Sequence, residues 1–166
     1  MSDSDLSNQF AALSDVAKRL NAQSDTVNQL IEQFQDKLRG LNVGLEAWVP
    51  LRTEPGSEDV PGPGPRGTRQ PARATTVTVE ISLGHARGDD GWGLYVKRIA
   101  YKPQIPNVFP PASGEVVSVS KLIKLVEASR ATRVEALAAF PKLLEALKTA
   151  AESAVQTIEN AKKFVR

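Results

Sequence analysis

The sequence predicts an α+β protein: two long helices with coiled-coil-like stripes flank a small antiparallel sheet of about three strands. Apolar residues near both ends recur at steps of four and three. At the front they are Leu6, Phe10, Leu13, Ala17, Leu20, Val27, Ile31, Phe34, Leu38 and Leu41. At the back they are Phe140, Leu144, Leu147, Ala151, Ala154, Ile158, Ala161 and Val165. That spacing lays one narrow apolar stripe along a helix. In the middle the period changes to two, the repeat of a strand with one buried face.

The first helix is expected over residues 4–40, roughly 50 Å long. Asp3 or Ser4 caps its start, where the helix dipole favours acidic side chains. Lys37 and Arg39 in the last turn, then Gly40 and Leu41, read as a glycine C-cap with an apolar contact behind it. Ser24 falls on the stripe, where a polar residue either sets register or marks a weak spot.

Residues 41–52 alternate as a strand, with Val43, Leu45, Ala47, Val49 and Leu51 on one side. Residues 53–74 are rich in Pro, Gly and charge, with Val60 the one large apolar residue, and are expected to be a disordered loop. A β-hairpin follows over 75–102. Val77, Val79, Ile81 and Leu83 alternate in its first strand, and Gly88, Asp89, Asp90 and Gly91 supply the turn. In its second strand the inward residues Leu94, Val96 and Ile99 change parity, which predicts a bulge near Lys97 and Arg98. Residues 103–118 form a Pro-rich extended connector, with a short strand near its end. The second helix is expected over 120–165, broken at Pro141. The whole chain, 1–166, reads as a single domain.

Charge is close to balanced at +2, so bulk composition gives no argument for nucleic acid. The distribution is uneven: residues 1–40 carry net −2 and residues 120–166 net +4. Oppositely charged helices favour lying together, in one chain or between neighbours. Cysteine is absent, so disulfides, thiolate metal sites and a cysteine nucleophile are excluded. No apolar run approaches the length of a membrane span, and the start of the chain lacks the pattern of a signal peptide, so the expected setting is the cytoplasm.

The chemistry-bearing motifs are few. His85 is the one histidine, with Asp89 and Asp90 close in sequence, but strand and turn positions do not converge as a metal site requires. It reads as a surface histidine beside a hairpin. No phosphate-binding glycine loop and no nucleophile–base pattern is present, and no cofactor is expected. Trp92, Tyr95, Lys97, Arg98, Tyr101 and Lys102 interleave rings and cations along one strand, as single-stranded nucleic-acid surfaces do.

The order helix, β-hairpins, helix resembles the architecture of the prefoldin subunits, chaperone subunits whose coiled-coil arms project from a β assembly. The resemblance covers element order along the chain; the loop over 53–74 and Pro141 depart from it. It implies a chaperone- or adaptor-like holding role. The resulting expectation is a non-catalytic scaffold that forms a homo-oligomer or binds a protein partner. Its seam comprises Leu20, Val27, Leu30, Ile31, Phe34, Leu38, Leu144, Leu147 and Ile158. The alternatives are nucleic-acid binding through residues 92–102 and a carboxylate enzyme using Asp89 and Asp90.

Overall fold

A computed structural model of the protein describes residues 3–60, 73–101 and 116–164. The chain is α+β, with two long helices and one antiparallel five-stranded sheet. In chain order the elements are α1 (Asp3–Leu41), β1 (Ala47–Val60), β2 (Arg73–Gly88), β3 (Gly91–Tyr101), β4 (Val116–Val119), β5 (Ile123–Lys124), a 3₁₀ turn (Leu125–Glu127) and α2 (Arg130–Phe164). The sheet order is β1-β2-β3-β4, and β5 also pairs with β3.

Both helices pack on one face of the sheet. Ile31 and Leu38 of α1 and Ala136, Ala139, Phe140, Leu143 and Leu147 of α2 share a core with Val49, Ile81, Leu83, Leu94 and Val96. Ile31, Leu83, Leu94, Leu125 and Leu143 are fully buried, each contributing about 1.5–3 kcal/mol. At the far end of the sheet Val77, Val79 and Ala100 form a second, smaller cluster.

Several elements differ from their sequence-based expectation, each for a local reason. The sheet has five strands rather than about three. The strand expected over 41–52 starts later and runs further: α1 continues to Leu41, and β1 begins at Ala47. The left-handed residue closing α1 is Asn42 (φ 47°), whose N–H donates to the Arg39 carbonyl at 3.0 Å; Gly40 is still helical. An Asn tolerates that conformation almost as a glycine does. Both ends of the loop expected over 53–74 are strand, with Thr53 to Val60 pairing Glu80 to Arg73. Backbone ladders do not require apolar side chains, and Pro55 is tolerated because β1 is an edge strand. Residues 61–72 of that expected loop lie outside the described residues.

β2 and β3 stay in register from Gly88–Gly91 to Thr78–Tyr101, with no shift at Lys97 and Arg98; the irregularities fall between Pro50 and Arg52 of β1 and, where β3 pairs with β4, between Ala100 and Tyr101. Residues 103–115 of the expected connector lie outside the described residues, and 116–119 is β4. The second helix starts at Arg130, not 120. Ser129 is its cap: the Ser129 hydroxyl accepts from the Thr132 N–H at 3.2 Å. Helix α2 then runs unbroken through Pro141. Proline there forfeits one backbone hydrogen bond, at a cost of about 3 kcal/mol. The burial of Phe140, Leu143 and Leu147 around it outweighs that loss.

Candidate functional site

The helices meet over only part of their length. The Arg130 guanidinium donates to Asn21 at 2.9 Å, Arg133 donates to Asn28 at 2.5 Å, and Phe34 stacks on Phe140 at 3.9 Å. These contacts advance in step along both helices, so α1 and α2 run in the same direction. Within the chain the two helices therefore do not form an antiparallel hairpin. Two free ends leave the core in opposite directions: the first half of α1 and the last turns of α2.

The seam residues divide accordingly. Ile31, Leu38 and Leu147 are buried in the chain's own core, with Val27 and Phe34 packed against it. Leu20, Leu30, Leu144 and Ile158 are exposed. On α2 the buried neighbour is Leu143 rather than Leu144, and Ala136 and Ala139 complete the core stripe. Every side chain from Asp5 to Gln23 is exposed, including Leu6, Phe10 (65%), Leu13 (61%), Val16 and Leu20. Val155 and Ile158 mark the matching open surface on α2. Ser24, on the α1 stripe, bonds back to the Leu20 carbonyl at 2.8 Å, so its hydroxyl is satisfied within the helix.

The strand register sorts the aromatic and basic residues of β3. Tyr95, Lys97 and Tyr101 share the sheet face turned away from the helices, because their neighbours Leu94, Val96 and Ala100 point into the two apolar clusters. Trp92 and Arg98 lie on the helix face, and Lys102 lies outside the described residues. Tyr95 is buried, and its hydroxyl donates to the Gly91 carbonyl at 3.2 Å. Trp92 stacks on His85, with ring centroids 5.2 Å apart. Neither ring is free for a base. Trp48 and Tyr101 are both half-buried on the outer face, and the Lys97 ammonium lies 3.8 Å above the Trp48 ring. Trp48 alternates with Ala47 and Val49, whose side chains face the core, so strand geometry puts it on the opposite face. Its signal is Gly84, a strand glycine marking where the ring lies against the backbone.

His85 is buried rather than on the surface. Its Nδ1 bonds the Leu45 carbonyl at 2.9 Å, which requires the proton on Nδ1, and its ring lies between that loop and Trp92. Asp89 and Asp90 turn away from it, toward Lys121 (3.8 Å) and Lys124. The hydrogen bond from Lys124, reinforced by its charge, holds the Asp90 carboxyl below the ordinary carboxylate range and raises the Lys124 ammonium above its own. Among the described residues no group of three or more His, Asp or Glu is placed to hold a metal. Between the hairpin and the end of α1 lies a cleft of about 390 Å³ lined by Glu32, Arg39, Asp90, Trp92 and Lys124. Gln35 closes its wall by accepting from the Leu94 N–H at 3.3 Å on the outer edge of β3.

A further polar link ties sheet to helix. Arg52 donates to Glu54 at 2.6 Å and to Glu135 of α2. The Glu54 hydrogen bond, with Glu135 adding to it, raises the Arg52 guanidinium further above its ordinary value. Among the described residues no helix is long and apolar enough to cross a membrane.

No protein-family model matches the chain, and no characterised protein or solved structure shows significant similarity to it.

Proposed function

We propose that the protein is a non-catalytic assembly or adaptor protein whose helical arms take up a helix of another chain. One observation supports this above the others: the apolar stripe of α1 from Leu6 to Leu20 stands exposed, off the core. A helical segment of that length gains nothing from tertiary packing and is marginal alone in water. Aligned apolar side chains at a/d spacing are the surface a second helix covers.

The test is absolute mass by light scattering on a sizing column, from micromolar to submillimolar protein. Wild type is expected to rise above 17.9 kDa with concentration. The variant Phe10→Asp/Leu13→Asp is expected to stay at the monomer mass, with the same near-ultraviolet signal from Trp48 and Trp92. A wild-type chain that remains at 17.9 kDa throughout sinks the assembly reading. Nucleic-acid binding has less support, since Tyr95 is buried and Trp92 is stacked on His85.

A further inference from the structure

We infer that the open arm of α1 is covered by the open arm of α2 from a second copy of this chain, in a parallel, head-to-tail pairing. This rests on the assembly reading above and specifies its partner and geometry.

The pairing continues a contact already present. Within one chain α1 and α2 lie side by side in the same direction from Asn21–Arg130 to Phe34–Phe140. On the N-terminal side of that contact α1 goes on and α2 has not begun. Beyond Leu147, α2 continues after α1 has ended at Leu41. Each helix therefore carries the half of a seam whose other half has run out, and the halves face opposite ends of the molecule. Translating one copy along the seam brings the α2 half of the first beside the α1 half of the second, in the same parallel sense.

Side-chain sizes fit this pairing. Both stripes keep the same alternation of four and three. Aligned in phase, Phe10 faces Ala151, Leu13 faces Ala154, Ala17 faces Ile158 and Leu20 faces Ala161. Each layer sets a large residue against a small one, which fills space without strain. The paired layers end at Leu20, and Lys162 to Phe164 reach the level of Asn21, where the second copy's own α2 begins. Parallel pairing of α2 with α2 would instead stack Ala151, Ala154 and Ala161 on themselves and bury little.

Charge favours the same choice. In the arms that pair, residues 3–20 of α1 carry three acidic and two basic side chains, net −1, and residues 148–164 of α2 carry three basic and two acidic, net +1. Like-with-like pairing brings equal signs together, and α1-with-α2 pairing brings opposite ones. A contact of this kind is heterologous, so it generates rings or open chains rather than a closed two-fold dimer.

Complementation between two full-length variants tests it. One disables the α1 arm (Phe10→Asp/Leu13→Asp), the other the α2 arm (Ala154→Asp/Ile158→Asp); these positions lie on exposed or half-exposed helix surface. Each variant alone is expected to be monomeric by light scattering. Mixed, they are expected to form a one-to-one dimer through the single intact pair of arms, and that dimer weakens as salt rises. An α2-arm variant that still associates like wild type overturns the pairing and leaves assembly through α1 standing. A mixture that stays monomeric, while wild type associates, overturns it as well. A monomeric wild type removes the assembly reading itself.

Discussion

The rings of Phe34 and Phe140 lie face to face, their centroids 3.9 Å apart and their planes 8° from parallel. This stack fastens α1 to α2 at the point where both cover the sheet, because Phe140 is buried in the core that holds Leu83 and Val96. Core residues flank it on both helices, Ile31 and Leu38 on α1 and Ala136, Leu143 and Leu147 on α2, so the stack sits in the middle of the part of each helix that stabilises the fold.

Phe140→Ala is expected to lower the unfolding free energy by about 3–5 kcal/mol, the usual cost of emptying a buried phenylalanine site. Phe34→Ala costs less, since Phe34 is only partly buried. The double variant loses less than the two single losses combined, because both changes remove the same contact. Urea denaturation measures all three. A loss below about 1 kcal/mol for Phe140→Ala would mean that the stack does not anchor the helices.

Gly84 is expected to resist even a methyl group. A Cβ there would meet the Trp48 ring at 2.3 Å. Gly84→Ala should destabilise by about 1–3 kcal/mol through overpacking. In a Trp48→Ala background the same change should cost little, since the obstructing ring is gone. An unchanged cost in that background would place the strain elsewhere on β2.

The Asp90–Lys124 pair gives a pH signature. Its hydrogen bond lowers the folded Asp90 pKa below the ordinary 3.8. The sign follows: the pair's stabilisation is present above the unfolded-state value and is lost as pH falls through the lower folded value. Nuclear magnetic resonance titration of the Asp90 carboxyl should show protonation below 3.8, and Lys124→Gln should move it back up. Asp90 is fully exposed, so the shift should shrink in high salt. An Asp90 titration indifferent to Lys124→Gln would remove the ion pair as its cause.

Much of this arrangement was legible in the residues. The a/d spacing marked both helices, and period-two alternation with the Gly88–Gly91 turn marked the hairpin, whose register runs unbroken from that turn. The shared face of Tyr95, Lys97 and Tyr101 follows from alternation alone. Less legible were features that depend on pairing partners. The polar run from Thr53 to Val60 carries no apolar signal and becomes strand through its ladder with β2. The stretch from Lys121 to Glu127 has helix-like composition, yet β5 pairs with β3 and Leu125 fills the core. Ser129, a good N-cap residue within a helical pattern, was the local cue to where α2 begins.

The sequence alone determined the α+β class, the two amphipathic helices and the hairpin, because periodicity and turn chemistry act over a few neighbouring residues. The tertiary structure decided which part of each stripe is core and which is surface. That choice depends on where the helices cross the sheet, a long-range packing outcome that identical heptad spacing on either side of the crossing does not encode. It also decided that His85 is buried against Leu45 and Trp92, and that on the outer face Tyr95 is covered while Trp48 lies under the Lys97 ammonium. Strand alternation names the face of a residue; only the neighbouring strands determine what covers it.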